Sequence, residues 1–290
     1  MNTPPKIVAE IGCNHMGSLG TAKEMIRVAA SYCKANYVKF QKRHNRELLS
    51  PEQYNAPHPN SANSYGNTYG EHREFLEFTL DQHRALKTEC EQCSIGYAAS
   101  VWDLTSAKEI ASLQPDYIKI PSATNQNYAL LEWLCRNYSG RLHISLGMTT
   151  RKEEDMLVTF LCSRGREKDV VLYACTAGYP VPFKDLCLGE ITRLIEKYGN
   201  TIGSVGFSGH HLGIAADVAA QALGVAWIER HFTLDRTLKG TDHAASLEPD
   251  GLRRLVRDTQ AVAQALAAKD VELLEIELAQ RAKLKWLERS

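Results

Sequence analysis

The chain has 290 residues, 44% of them hydrophobic and 23% charged, which is the composition of an ordinary globular protein. Its 34 Lys and Arg residues are balanced by 34 Asp and Glu residues, which argues against a nucleic-acid-binding protein with a basic face. Residues Met1–Ala9 lack the apolar core of a signal peptide, and no run approaches the ~18–20 apolar residues of a membrane span. We therefore expect a cytoplasmic protein with no membrane partner, whose eight scattered cysteines are free thiols.

Short apolar runs alternate with amphipathic stretches along almost the whole chain. Several runs are continuous in Val, Ile, Leu and Tyr, as is typical of parallel strands buried on both faces. The predicted strands are Lys6–Gly12, Tyr37–Gln41, Ile95–Ala99, Tyr117–Ile120, Arg141–Leu146, Val170–Ala174, Ile202–Phe207 and Ala226–His231. The predicted helices are Thr21–Lys34, Glu71–Cys93, Asp103–Leu113, Tyr128–Asn137, Lys152–Ser163, Asp185–Lys197, Ile214–Leu223 and Pro249–Ala267. Eight strand–helix units predict a (β/α)8 TIM barrel of the α/β class, because a doubly wound sheet would normally have fewer strands and a glycine-rich first turn.

Two regions of the sequence are additional to what a minimal (β/α)8 barrel requires. We predict a catalytic barrel over residues 1–268 that carries a long loop at 42–70, followed by a C-terminal helical extension over 269–290. The loop is rich in Asn, Pro, Tyr and Ser, and loops of this length are commonly functional lids or disordered segments. The extension could pack under the barrel or against a second subunit. Its apolar members are Leu273, Leu274, Ile276, Leu278, Leu284 and Leu287.

Nearly every predicted strand ends in a polar or charged residue, and the active site of a TIM barrel lies at those ends. Lys39 and Lys119 each lie inside an apolar strand, where a structural ion pair would explain one lysine alone. Two lysines together with serines on neighbouring strands instead predict a site for a small anion that carries both carboxylate and phosphate. The serines are Ser100, Ser122, Ser145 and Ser208.

Two histidines end neighbouring strands of the predicted barrel. His210 follows strand seven and His231 ends strand eight, and adjacent strands lie about 4.8 Å apart. A single histidine there is explained by a rim position, but the pair could share one metal ion, with Glu229 and Asp242 as further ligands or partners of bound water. Mixed nitrogen and oxygen ligands favour Mn²⁺, with Co²⁺, Fe²⁺, Mg²⁺ or Zn²⁺ as alternatives.

Five motifs keep one order along the predicted barrel. They are Ala9-Glu10-Ile11-Gly12-x-Asn14-His15-x-Gly17, Lys39-x-Gln41, Tyr117-x-Lys119-Ile120-x-Ser122, Gly147-Met148 and Glu229-Arg230-His231-Phe232-Thr233. With these motifs the sequence resembles the N-acetylneuraminate (sialic acid) synthase family from about Ile7 to Leu252. The resemblance implies an enzyme that condenses phosphoenolpyruvate with an open-chain amino sugar to give a nine-carbon 3-deoxy-2-keto acid and phosphate. It also implies Mn²⁺ and a homodimer.

The same resemblance assigns roles by motif. His210 and His231 would bind the metal, and one of the carboxylates Glu10 and Glu229 would handle proton transfer. The expected catalytic residues are Glu10, Glu229 and Lys119. The expected phosphoenolpyruvate ligands are Lys39, Ser100, Lys119, Ser122, Ser145 and Ser208. The expected acceptor-binding residues are Glu10, Gln41, Tyr179 and Asp242.

Three departures from the family pattern concern a donor to the anion, the surroundings of a metal-binding histidine and the cover over the acceptor. Ala177 stands where the family commonly has Asn, and Gly209 stands where an acidic residue usually precedes the strand-seven histidine. Only 23 residues follow Ala267, so we expect the family's C-terminal antifreeze-like domain to be absent. The 42–70 loop or the last helix could cap the site instead, and the acceptor could differ from N-acetylmannosamine.

Other functions stay open on the sequence alone. An octulosonate-type synthase would use a shorter or phosphorylated aldose, and Arg43, Arg46 or Arg73 could serve a sugar phosphate. A barrel that has lost catalysis would act as a binding or scaffold subunit, and an aldolase or epimerase would leave the lysines and serines unexplained. Acceptor-dependent release of phosphate from phosphoenolpyruvate separates these functions.

Overall fold

The computed structural model describes residues 3–286, in which eight parallel strands close into a barrel in the order β1 to β8. The strands are β1 (Lys6–Gly12), β2 (Tyr37–Lys42), β3 (Gly96–Val101), β4 (Tyr117–Ile120), β5 (Arg141–Ser145), β6 (Val170–Cys175), β7 (Ser204–Gly209) and β8 (Trp227–His231). Strand β1 pairs with both β2 and β8, which closes the sheet. The prediction of a (β/α)8 barrel is confirmed, and each strand bound lies within two residues of its predicted position.

Helices surround the barrel and bury their apolar faces against the outer side of the strands. They are α1 (Leu19–Arg27), α2 (Asn45–Leu48), α3 (Pro51–Asn55), α4 (Tyr69–Phe75), α5 (Leu80–Gln92), α6 (Leu104–Ser112), α7 (Tyr128–Asn137), α8 (Arg151–Ser163), α9 (Gly189–Tyr198), α10 (Ala215–Ala222), α11 (Pro249–Ala265) and α12 (Glu275–Leu284). None of the helices within residues 3–286 is both long and apolar enough to cross a bilayer.

The prediction of a single helix over Glu71–Cys93 is wrong, because the chain forms two helices there, α4 and α5. The Thr79 hydroxyl accepts a hydrogen bond from the backbone N–H of Gln82, and the Gln82 side chain accepts one from the backbone N–H of Thr79. This capping box starts a new helix at Leu80, and the amphipathic pattern of the sequence runs across the break without marking it.

The loop predicted at 42–70 is ordered into short helices that pack on α4. The backbone N–H of Tyr69 donates to the carbonyl of Ala56 at 2.8 Å, and the backbone N–H of His44 donates to the carboxylate of Asp103, which follows β3. We call residues 42–75 the lid, since this segment, which includes α2, α3 and α4, lies beside the carboxyl ends of β2 and β3.

Aromatic side chains fill the amino-terminal half of the barrel. Residues alternate inward and outward along each strand, and the inward ones form a cluster of their own. His143 stacks on Tyr117 with ring centroids 3.7 Å apart, and its Nδ1 is 2.9 Å from the Tyr173 hydroxyl. A Cβ at Gly206 would lie 2.7 Å from the Tyr173 ring, so a glycine is needed there. The rest of this aromatic floor is Val8, Ala98, Val171 and Trp227, with Tyr37 packed against it.

The carboxyl-terminal part of the described chain contains α11, packed against α10 and the barrel, and then α12. No residue of α12 is buried, and Ile276 is 81% exposed. The helix predicted over 271–290 is therefore shorter among the described residues, and Leu287 lies outside them. The division into a barrel over 1–268 and an extension over 269–290 stays a prediction.

Candidate active site

A cavity of about 430 Å³ opens at the carboxyl ends of the strands, above the aromatic floor. Every predicted site residue except Asp242 lines it, and we call it the active-site cavity. The residues that the prediction placed there are Glu10, Lys39, Gln41, Ser100, Lys119, Ser122, Ser145, Tyr179, Ser208, His210, Glu229 and His231. They converge because the inward positions of neighbouring strands fall in register, as for Gln41 opposite Ser100 and Ser208 opposite Glu229.

Two lysines and two glutamates form a charged quartet at the base of the cavity. Lys39 Nζ lies 2.5 Å from Glu10 and 3.7 Å from Glu229, and Lys119 Nζ lies 3.0 Å from Glu229. All four residues are at most 7% exposed. The ion pair that explains a single buried lysine is thus present for both, and the quartet is neutral overall when all four groups are ionised.

The pKa values of the four groups in the quartet are shifted in different directions by their surroundings. Burial raises the pKa of Glu10, and the Glu229 carboxylate adds to the rise although Lys39 opposes it. Burial also acts to raise the pKa of Glu229, but Lys119 and Lys39 outweigh it and lower this pKa to about 2. Burial lowers the pKa of Lys119, whereas for Lys39 the two carboxylates outweigh burial and raise the pKa. Glu10 is therefore the carboxyl group that takes up a proton more readily.

Serine hydroxyls border the quartet. Ser100 Oγ accepts a hydrogen bond from Lys39 at 2.7 Å, and Ser208 Oγ donates to Glu229 at 3.4 Å. Ser122 has space because residue 147 is glycine, where a Cβ would lie 2.7 Å from Ser122 Oγ. Hydroxyl and ammonium donors on one wall are suited to an anion with several oxygen atoms.

Two histidines face each other on the next wall. The rings of His210 and His231 are 5.4 Å apart, and the Nδ1 atoms of both are buried without a hydrogen-bond partner. Burial lowers the pKa of His210 to about 3, so this ring is neutral at pH 7 and keeps a lone pair. Among residues 3–286, no three His, Cys, Asp or Glu side chains form a complete metal-binding cluster. Two unpartnered imidazoles still fit a metal ion whose remaining ligands are water or substrate oxygen atoms.

Asp242 lines a second cavity of about 320 Å³ that adjoins the first. Its carboxylate lies 3.9 Å from Nδ1 of His231, so it faces the histidine pair from outside the active-site cavity. We call this second cavity the lid pocket. Four residues line both cavities: Gln41, Trp102, Tyr179 and His231. The residues that line only the lid pocket are Cys13, Arg43, His58, Tyr69, His72, Arg73, Leu76, Thr241 and Asp242.

Some cavity residues were missed by the sequence analysis. Trp102 and Cys175 follow the inward residues Ser100 and Tyr173 by two positions, so the alternation of the strands could have found them. Met148 belongs to one of the five motifs, but it follows the end of β5 and was given no role in the site. The other missed residues are Pro121, Ala123 and Gly178.

The two departures within the barrel have different structural consequences. Ala177 lines the cavity with a methyl group, so no side-chain donor replaces the family's Asn at this position. Gly209 is closely packed, since a Cβ would lie 2.8 Å from the ring of Phe207 and 3.0 Å from that of His211. An acidic side chain would therefore not fit at position 209 without movement of these rings.

Similarity to known proteins agrees with this arrangement. The model of the NeuB family matches residues 25–271. Human N-acetylneuraminate-9-phosphate synthase is 38% identical over 97% of this chain and 76% of its own length, and Campylobacter jejuni N,N'-diacetyllegionaminic acid synthase is 32% identical over 90% of this chain and 77% of its own length. The crystal structure of the N-acetylneuraminic acid (sialic acid) synthetase of Leptospira borgpetersenii superposes with a TM-score of 0.81 at 28% identity, covering 98% of this chain and 93% of that one. The chain belongs to the NeuB family.

Proposed function

We propose that this protein condenses phosphoenolpyruvate with an open-chain aldose to give a 3-deoxy-2-ulosonic acid and inorganic phosphate. The observation that carries the proposal is that a wall of ammonium and hydroxyl donors and an unpartnered histidine pair line one cavity. The names of the relatives, which are synthases of N-acetylneuraminate 9-phosphate, legionaminic acid and pseudaminic acid, support it.

The anion would lie against the serines and Lys119. Because the quartet is neutral, it offers an anion no net attraction until its ion pairs rearrange. Lys119 can turn to the substrate while Glu229 stays 3.7 Å from Lys39, so the exchange leaves no carboxylate without a lysine. Hydroxyl groups of Ser100, Ser122, Ser145 and Ser208 would supply further donors to the carboxylate and phosphate.

His210 and His231 would hold a divalent metal ion, Mn²⁺ before Co²⁺, Fe²⁺, Mg²⁺ or Zn²⁺. When bound, such an ion would polarise the aldehyde oxygen of the acceptor. The side chains of Gln41 and Tyr179 would orient the acceptor beside this pair. Gln41 donates to Glu10 at 3.1 Å, and the Tyr179 ring lies 4.6 Å from the ring of His210.

The atoms and charges of the reaction balance with three reactants: phosphoenolpyruvate, the aldose and water. C3 of phosphoenolpyruvate bonds to the aldehyde carbon, whose oxygen becomes an alkoxide and takes a proton. Water adds to C2 and loses one proton, which replaces the proton taken by the alkoxide. The bond between C2 and the bridging oxygen then breaks, the departing phosphate takes the second proton of the water, and the water oxygen becomes the keto group. Glu10 would carry the proton between these steps, since Glu229 is held ionised by its two lysines.

Phosphate release from phosphoenolpyruvate is the test. It would be measured with Mn²⁺, with and without a chelator, across N-acetylmannosamine, mannose, arabinose, diacetamido-hexoses and sugar phosphates. We expect release that needs both an acceptor and a metal. Binding of phosphoenolpyruvate without release with any acceptor would contradict the proposed reaction, and a barrel that binds neither substrate would be a scaffold subunit.

The resemblance also suggests a cytoplasmic homodimer. Ile276 and Trp286, both 81% exposed, offer an apolar surface near the carboxyl end of the described chain. We expect a dimer mass in light scattering, and a monomer for Ile276→Asp if α12 contributes to the interface.

A further inference from the structure

We propose that Tyr173 is a positioning residue for phosphoenolpyruvate. The face of its ring holds the Lys119 ammonium group at the base of the active-site cavity while that group exchanges Glu229 for the substrate. The inference rests on the proposed function, since it concerns how a substrate of that reaction is bound. Tyr173 does not line the cavity, so it acts through Lys119 and not by contact with the substrate.

Tyr173 completes a layer of four inward side chains. Strands β2, β4, β6 and β8 contribute Lys39, Lys119, Tyr173 and Glu229 to it, and TIM barrels are commonly filled by such layers from alternate strands. Glu229 lies 3.7 Å from Lys39 Nζ and 3.0 Å from Lys119 Nζ, and Lys119 Nζ lies 3.8 Å from the centroid of the Tyr173 ring. Three members of the layer carry a formal charge, and the tyrosine is the neutral member.

The Lys119 ammonium group lies against the face of this ring. The distance of 3.8 Å is well within the range of about 6 Å over which an aromatic ring attracts a cation. Lys119 lines the cavity, whereas Tyr173 belongs to the aromatic floor below it, so Nζ lies between the ring and the cavity. The ring therefore keeps the ammonium group on the side from which a substrate can reach it.

A neutral ring is suited to a lysine that must change partners. Both carboxylate oxygens of Glu229 contact Lys119 Nζ, at 3.0 and 3.2 Å, and substrate binding must release them. A second carboxylate in place of the ring would hold the ammonium group more tightly and would repel the anionic substrate. An aliphatic side chain there would give the ammonium group no electrostatic support during the exchange. The negative face of a ring provides that support without a formal charge.

The orientation of the Tyr173 ring is fixed by its neighbours. Its hydroxyl is 2.9 Å from Nδ1 of His143, which is itself buried and stacks on Tyr117. Tyr173 lies opposite Gly206 in the sheet, and a Cβ at Gly206 would lie 2.7 Å from the ring. Because the ring is confined in this way, it presents one fixed surface to the ammonium group, as a positioning residue must.

A second buried tyrosine provides a matched control. Tyr97 of β3 is 1% exposed, and its hydroxyl is 2.8 Å from Nδ1 of His83, so it has the same kind of histidine partner as Tyr173. Tyr97 packs in the core outside the barrel and not in the aromatic floor. Its replacement should therefore lower the melting temperature without a change in the binding of phosphoenolpyruvate.

The test measures the Kd for phosphoenolpyruvate by calorimetry with Mn²⁺ and no acceptor, and KM and kcat by phosphate release. Tyr173→Met should raise Kd and KM about 10-fold with kcat within about 3-fold, because the attraction of the ring for the cation is lost. Tyr173→Phe and Tyr97→Met should keep Kd within about 2-fold of the wild type. In a Lys119→Met background, Tyr173→Met should change Kd by less than about 2-fold, whereas a purely structural role would weaken binding equally in both backgrounds.

An isosteric pair keeps the inference testable if Tyr173→Met does not fold. A trifluorinated phenylalanine at position 173 keeps the shape of the Tyr173→Phe ring and removes most of the negative charge from its face. We expect its Kd for phosphoenolpyruvate to be about 5-fold above that of Tyr173→Phe.

Equal Kd values for the fluorinated and unfluorinated rings would overturn the inference. A loss of equal size for Tyr173→Met with and without Lys119 would also overturn it. Both results leave a wild-type protein that binds phosphoenolpyruvate and releases phosphate, so the proposed function would stand. A wild-type protein that neither binds phosphoenolpyruvate nor releases phosphate with any acceptor would instead contradict the proposed function, and the inference with it.

Discussion

Two consecutive residues of β8 form buried ion pairs on opposite faces of the strand, one in the active-site cavity and one behind the sheet. Glu229 points into the barrel and pairs with Lys119 in the active-site cavity. Arg230 points outward, is 1% exposed, and pairs with Asp217 of α10 behind the sheet. The inner pair borders a space that a substrate can enter, and the outer pair is sealed by protein. The face of the strand therefore decides whether a buried charge serves chemistry or stability.

The outer pair is enclosed by protein, although Asp217 Oδ1 and Arg230 Nε have no hydrogen-bond partner. Arg230 also donates to the carbonyl of Gly213 at 2.8 Å, and His211 Nε2 lies 3.3 Å from the Asp217 carboxylate. These contacts join β8 to the chain that follows β7. In the active-site cavity, one carboxylate oxygen of Glu10 has only its contact with Lys39, and the unpartnered Nδ1 atoms of His210 and His231 belong to residues that border open space.

The largest expected effect on the inner side comes from the histidine pair. His231→Ala should reduce turnover by at least about 10³-fold, because the loss of a ligand removes several kcal/mol of transition-state stabilisation. The fold should persist, since the ring makes no hydrogen bond that holds β8. Phosphate release, Mn²⁺ titration and thermal melting would be measured together. Full activity without bound metal would refute the metal assignment.

A histidine that is enclosed by protein provides a second test of the contrast, through the pH dependence of the free energy of unfolding. His83 is fully buried, with Nδ1 2.8 Å from the Tyr97 hydroxyl, and burial lowers its pKa to about 3. Because the unfolded value is near 6.5, the unfolded chain binds the proton first, and stability falls as the pH drops below about 6.5. Each pH unit should cost up to about 1.4 kcal/mol for this residue.

The measurement is the free energy of unfolding between pH 7 and pH 5, by urea titration, for the wild type and His83→Asn. The variant should show a shallower decline than the wild type. Equal slopes would mean that His83 does not contribute to the acid sensitivity.

A smaller effect is expected for a single hydroxyl of the anion wall. Ser122→Ala should raise the KM for phosphoenolpyruvate by about 5-fold, the cost of one hydrogen bond of about 1 kcal/mol, with little change in melting temperature. Steady-state kinetics would check this. An unchanged KM would remove Ser122 from the substrate site.

The barrel and most of the residues at the carboxyl ends of its strands could be predicted from the sequence. Both depend on local patterns, namely the alternation along each strand and the residues at which each strand ends. Ser100 and Lys119 could be placed together once their strands were known to be neighbours. The balanced quartet could not be predicted, because whether Glu229 pairs with Lys119 or with a ligand depends on distances across the barrel. The lid pocket was also out of reach, since Arg73 and Trp102 meet through a loop whose path no periodicity describes.

The measurement that tests the contrast most directly pairs Lys119→Met with Asp217→Asn, with unfolding free energy and kcat/KM for phosphoenolpyruvate determined for both. Lys119→Met should lose about 100-fold in kcat/KM and little stability, because Glu229 keeps Lys39. Asp217→Asn should lose about 3 kcal/mol of stability while the folded protein keeps kcat/KM within about 3-fold. The opposite pattern, with Lys119→Met unfolding the protein and Asp217→Asn abolishing turnover, would contradict the assignment of chemistry to the inner face.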